Sequence, residues 1–105
     1  MLTQNAAIET VRNYARDIEA RGVRLRKVIL YGSFAKGTQH EWSDIDVALV
    51  ADEFTGFTFD DCKLYSGLGI KKPYIRIEEK TYPTDYFNEG DPFINEIKKT
   101  GILIH

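Results

Sequence analysis

Two aspartates one residue apart, Asp44 and Asp46, are the side chains in this sequence best suited to hold a hard metal ion. In an extended segment, alternation turns both carboxylates to one face, about 7 Å apart at the backbone, where their oxygens can converge on one cation. Unpaired carboxylates side by side repel, and the usual compensation is a divalent ion with oxygen ligands. Mg²⁺ suits a few carboxylates plus substrate phosphates. An isolated Asp-x-Asp also suits a solvated strand start or an Asx turn at Ser43-Asp44. A second feature lies upstream, where the apolar run Val28-Ile29-Leu30-Tyr31 empties into Gly32-Ser33. Glycine lets a backbone approach a phosphate closely, and the following N–H groups and a serine hydroxyl can hydrogen-bond its oxygens. An ordinary strand-to-helix turn uses the same residues. Gly32 and Gly37 have the glycine spacing of a P-loop, but Thr38 stands where that motif requires lysine. A Walker A site is excluded.

The elements that must position these residues follow from periodicity. Ile8, Val11, Ala15 and Ile18 recur at helical spacing, which predicts a helix over 3–21 stopped by Gly22. Residues 28–31 read as a buried strand, 34–36 as one helical turn, and 44–50 as a second strand with Ile45, Val47 and Leu49 toward the core. A shorter helix is expected over 59–68, with Asp60 and Asp61 in its first turn. After Pro73 the segment Tyr74-Ile75-Arg76-Ile77-Glu78 reads as extended, both isoleucines facing one way and Tyr74, Arg76 and Glu78 the other. Asp91-Pro92 supplies an N-cap and a first helical residue for a helix that ends at Gly101, with Ile102-Leu103-Ile104 as a terminal strand. The order predicts an α/β (α+β) fold, a small mixed β-sheet packed with helices in a single domain over 1–105.

Composition narrows the function classes. The chain has 105 residues, 43% hydrophobic and 29% charged, with 14 Lys+Arg against 16 Asp+Glu for a formal charge of −2. That balance is globular, and it builds in no long-range attraction to nucleic acid or an anionic membrane. The basic group Arg21, Arg24, Arg26 and Lys27 reads as a solvated edge. The single cysteine, Cys62, and the distant His40 and His105 supply neither a disulfide nor a structural zinc site. No apolar run approaches the ~20 residues of a membrane span and the start is not leader-like, so a cytoplasmic protein is expected. Trp42 and Tyr31 are expected in packing roles, with stacking on a base as the alternative.

Joined together, the features read Tyr31-Gly32-Ser33-Phe34-Ala35-Lys36-Gly37, then Ser43-Asp44-Ile45-Asp46-Val47 on the next strand. This wording resembles the nucleotidyltransferase superfamily that includes DNA polymerase beta, above all its stand-alone minimal nucleotidyltransferases. The motif spans residues 28–50, and the element order suits the rest of the chain. The resemblance implies transfer of a nucleoside monophosphate, AMP from ATP, to an acceptor hydroxyl. It implies that Gly32 and Ser33 hold the β- and γ-phosphates and that Asp44 and Asp46 are catalytic and ligate one or two Mg²⁺ ions. Such ions, ~3.5–4 Å apart, activate the attacking oxygen and stabilise the departing pyrophosphate. Lys36, a turn beyond Ser33, is a candidate to neutralise phosphate charge, with a solvated lysine as the alternative. Many chains of this family are encoded beside a helical HEPN-type protein and act as its antitoxin by adenylylating it. ATP and a HEPN-type protein are thus the implied partners. A chain this short has no room for a separate acceptor-binding domain, which fits dependence on a partner.

The family supplies a third carboxylate from a later strand. Its relatives carry an Asp-hydrophobic-Arg-Ile-Glu run, which sets Tyr74 in the place of that aspartate. Glu78 lies on the same strand face about 13 Å further along, and it takes the catalytic role only if the strand register is shifted. Without a third acid the chain is a degenerate module that docks its partner and transfers nothing.

Overall fold

The computed structural model describes residues 2–105. Helix α1 (Gln4–Ala20) starts where the Thr3 hydroxyl accepts from the Ala6 N–H at 3.1 Å, and it buries Ala7, Val11, Tyr14, Ala15 and Ile18. Strand β1 (Leu25–Tyr31) leads through Gly32 into α2, a single turn over Ser33–Lys36. Strand β2 (Ile45–Ala51) returns antiparallel to β1, pairing Tyr31 with Asp46 and Leu30 with Val47. Strand β3 (Ile77–Pro83) lies parallel to β2, and β4 (Ile102–Leu103) adds antiparallel to the other side of β1. The sheet order is β3-β2-β1-β4. The mixed α+β architecture expected from the sequence is the one observed.

Two hydrophobic clusters sandwich the sheet. On one face α1 packs Val11, Tyr14 and Ile18 against Val28, Leu30, Val47 and Leu49. The crossover between the parallel strands joins this layer, burying Phe54, Tyr65, Leu68 and Tyr74. On the other face α4 (Thr84–Glu89) and α5 (Pro92–Thr100) set Phe87, Ile94 and Ile97 over Ile29, Ala48 and Val50. Strand β2 is thus covered on both sides from Val47 onward, while its first turn toward Asp44 stays open on the α5 face.

Three expectations need correction. The helix over 59–68 is only one α-turn, α3 (Thr58–Asp61), followed by 3₁₀ turns at Cys62–Tyr65, Leu68–Ile70 and Lys72–Tyr74. Gly67, at φ +91°, breaks any longer helix. The extended run over 74–78 does not form. Tyr74 sits in a 3₁₀ turn, 6% exposed, its ring 4.9 Å from that of Tyr14 and its hydroxyl donating to Asp17 at 2.5 Å. Ile75 turns to solvent and the strand begins at Ile77. Helix α4 has no counterpart in the expectations, although Pro83 before it and Gly90 after it are boundary residues. Trp42, expected to pack, is 81% exposed.

Candidate functional site

Gly32 ends β1 at φ +75°, ψ −152°, a conformation nearly restricted to glycine. A Cβ at this position would run into Asp46 Oδ2. The missing side chain therefore does two things: it permits the turn and it brings the turn's backbone against a β2 carboxylate. Ser33 opens α2, and no side chain caps the N–H groups of this turn. Phe34 roots the turn in the α1-side core, and Gln4 Nε2 donates to the Phe34 carbonyl at 2.8 Å and the Ala35 carbonyl at 3.3 Å. Lys36 lies exposed in the last turn of α2.

Asp44 is exposed just before β2, and Asp46 is half-buried within it. The approach to β2 is held by Arg76, whose Nη2 donates to the Ser43 carbonyl and, at 3.1 Å, to the Glu41 carbonyl. The Arg76 carbonyl accepts from the Ile45 N–H at 2.8 Å, and the Ser43 hydroxyl accepts from the His40 N–H at 2.9 Å. These bonds fix the segment that delivers Asp44.

The third carboxylate is the largest departure from the sequence-based alignment. Asp46 pairs in register with Glu78 across the parallel β2–β3 ladder. Tyr74 is not at this site at all; it points into the α1 layer. Glu78, expected about 13 Å along the strand from the place given to Tyr74, is instead the residue beside Asp46, because β3 starts at Ile77 instead of Tyr74. The neighbouring Glu79 points to the opposite face, where it accepts from the Tyr14 hydroxyl at 2.6 Å and the Tyr65 hydroxyl at 3.2 Å. Adjacent glutamates thus have different surroundings: Glu79 is tied to two tyrosines and Glu78 stands exposed beside Asp46.

Electrostatics agree with this convergence. Burial pushes the Asp46 carboxyl above the ordinary aspartate range, the charges of Glu78 and Asp44 push it further, and Lys80 pulls it back. Tyr31, opposite Asp46, is raised by burial and then by the Asp46 charge. Among the described residues, no group of three His, Cys, Asp or Glu side chains is drawn together tightly enough to hold an ion. Asp44 and Glu78 are exposed, and like charges without a cation have every reason to splay. The donors do fit a hard ion: they are carboxylate oxygens, Asp46 and Glu78 in register on one sheet face and Asp44 two residues before Asp46, beside a turn able to approach phosphate. The site is an open shelf. Clefts of about 320 Å³ beside Tyr82 and Tyr86 and about 300 Å³ beside Tyr14 and Tyr65 lie elsewhere, and neither is lined by Asp44, Asp46 or Glu78.

A family model described as a nucleotidyltransferase domain matches residues 8–102. The chain belongs to the nucleotidyltransferase family. This nucleotidyltransferase domain is 44% identical over 48 residues to a putative protein adenylyltransferase from Methanocaldococcus jannaschii, a match covering 45% of this chain and 48% of that relative. The chain therefore spans about half the length of that relative. A crystal structure of a putative nucleotidyltransferase from Sulfolobus solfataricus superposes with a TM-score of 0.66 at 18% identity, covering 95% of this chain and 80% of the other. That likeness is one of fold. Among the described residues, no helix of the nucleotidyltransferase domain is long and apolar enough to cross a membrane.

Sequence reasoning did not single out Arg76, which holds the approach to β2, or Lys80, whose charge acts on Asp46. Lys80 is on the Glu78 face of β3 by simple alternation, a signal usable only once the start of the strand is known.

Proposed function

We propose that this nucleotidyltransferase domain transfers AMP from ATP to a hydroxyl on a partner protein, in the manner of an antitoxin paired with a HEPN-type protein. The observation that carries the reading is the register of Glu78 beside Asp46, with Gly32 against the same carboxylate. The M. jannaschii relative, named for protein adenylylation, supports AMP as the group and protein as the acceptor. In this reading Asp44 and Asp46, assisted by Glu78, would hold Mg²⁺. Bound there, the ion supplies charge neutralisation at the α-phosphate and the departing pyrophosphate. Gly32 and Ser33 bind the β- and γ-phosphates through backbone N–H groups and the serine hydroxyl, and Lys36 adds positive charge at the exposed end of the turn. The acceptor oxygen forms a bond to the α-phosphorus while the bond to the β-phosphate oxygen breaks. Pyrophosphate leaves and the acceptor proton passes to Glu78.

The test is transfer of label from α-labelled ATP with Mg²⁺ and a HEPN-type protein. The expected outcome is label on that protein, lost when Asp44→Asn and Asp46→Asn are combined. Unchanged ATP affinity and turnover in the double variant would overturn the metal assignment. A second reading, a module that docks the partner without transfer, rests on the three acids standing apart. A stable complex that never acquires label supports it.

A further inference from the structure

We infer that Lys80, seated on Phe93, is the cation that binds the phosphoryl group being transferred, contacting it from the β3 side of the carboxylates. The inference rests on the nucleotide reading above and adds a phosphate ligand to that site.

The sheet face beneath the site is laid out in rows. Tyr31, Asp46 and Glu78 are neighbours across β1, β2 and β3, and Ile29, Ala48 and Lys80 form the next row. Lys80 follows Glu78 by two residues, about 7 Å along the strand and on the same face. Its neighbour Ala48 has no side chain large enough to fill the space between β1 and β3. Phe93 of α5 reaches both flanking strands. Its ring meets Tyr31 edge-on at 5.8 Å between centroids, and the Lys80 ammonium lies 5.3 Å from its centre. Phe93 is 48% exposed, so the lysine head rests on a wall that is not closed over it.

An ammonium next to carboxylates normally pairs with one of them. Among the described residues, Lys80 makes no ion pair within 4.0 Å, although its field is felt at Asp46. The ring holds the cation near the acids while leaving its N–H donors unspent. A nucleoside triphosphate entering beside Asp44, Asp46 and Glu78 meets repulsion, and a cation there favours its phosphates. Position then assigns the phosphate. Gly32 lies against Asp46 from the β1 side, whereas Lys80 stands on β3 one row further along, beside Ala48 and two residues beyond Glu78. With the β- and γ-phosphates on the glycine turn, the group left for Lys80 is the α-phosphate.

The experiment compares the whole chain with Lys80→Gln, Lys80→Arg, Phe93→Leu and Lys99→Gln. Each is titrated with Mn²⁺ alone, Mn²⁺·ATP and Mn²⁺·inorganic triphosphate, and thermal melting is recorded. Lys80→Gln is expected to weaken ATP by about tenfold or more, the loss of one charge-assisted contact. Inorganic triphosphate, held on the glycine turn, loses less, and Mn²⁺ alone binds as well or better. Phe93→Leu should cost ATP about two- to fivefold. Lys80→Arg should recover most of the affinity, and Lys99→Gln, on the exposed end of α5, should leave it unchanged. Wild-type ATP affinity in Lys80→Gln overturns the inference alone. So does a loss that Lys80→Arg does not repair and that tracks the melting temperature. Failure of the wild type to bind Mn²⁺·ATP overturns the nucleotide reading and this inference with it.

Discussion

Asp46 and Asp61 are both aspartates drawn out of water beside β3, on opposite faces of the sheet, and their environments treat them in opposite ways. Asp61 is buried at the end of α3. Burial alone would raise its carboxyl, yet donors from Thr81 (2.6 Å), the Thr55 N–H (2.8 Å), the Thr55 hydroxyl (2.9 Å) and the Gly56 N–H (3.0 Å) more than offset that, and it lies below the ordinary range. Asp46 has burial and two like charges against it, and its carboxyl is raised. One carboxylate is satisfied by its own chain and staples the 55–58 loop to β3. The other has no hydrogen-bond donor from its own chain to offset its burial and its like-charged neighbours. A carboxylate whose cost the fold does not offset marks a site better than burial or acidity does.

Four substitutions break or sharpen that contrast. The largest effect is expected for Asp46→Asn, which should lower AMP transfer by about 10³-fold or more through lost phosphate-charge stabilisation. Its melting temperature, measured with chelator present, should not fall. A raised folded-state carboxyl opposes folding once ionised, above that raised range, and the amide removes this cost at neutral pH. A variant that melts earlier would make Asp46 a structural residue like Asp61.

Asp61→Asn should do the reverse, lowering stability by about 3 kcal/mol, roughly 10 °C or more in Tm, by leaving buried donors poorly paired. Because the Asp61 carboxyl is depressed, its contribution is present above the unfolded aspartate range and is lost as pH falls through its folded value. Wild-type acid unfolding should therefore lose a component in the Asn variant, read from chemical denaturation at pH 7 and pH 3. Unchanged stability would remove the staple from the comparison.

Gly32→Ala should cost about 2 kcal/mol in stability, because alanine resists this backbone conformation and its methyl group meets Asp46 Oδ2. It should also weaken Mn²⁺ binding, which a strained turn remote from the carboxylates would not do. The smallest effect is expected for Arg76→Lys. A single ammonium cannot reproduce the guanidinium's donation to both the Ser43 and Glu41 carbonyls, so metal affinity should fall by about threefold to tenfold with little change in Tm. Equal affinity would show that Asp44 needs no such restraint.

What was legible in the sequence was local. The glycine turn, the alternation of Asp44 and Asp46 and the first helix all depend on neighbours within a few residues. The place of Glu78 beside Asp46 was not local. It depends on where a parallel strand begins after the crossover spanning residues 52–76, and hence on Tyr74. That tyrosine leaves the extended path because Tyr14 and Asp17, 57 residues from it in the case of Asp17, offer it a ring contact and a hydrogen bond. The burial of Tyr74 pushes its hydroxyl up to about 12, largely by desolvation, as expected for a side chain committed to the interior.

The sequence by itself therefore determined the chemical kit: a phosphate-compatible glycine turn and a pair of acids on one strand face, both consequences of backbone geometry over a few residues. Only the tertiary structure decided which of two adjacent glutamates joins that pair. Strand pairing has a period of two, so beginning β3 at Ile77 puts Glu78 beside Asp46 and sends Glu79 to the tyrosines. The same register brings Lys80 to the carboxylate face, and the packing of α5 sets Phe93 beneath it. Core burial chose the start of the strand, and the start of the strand chose the site.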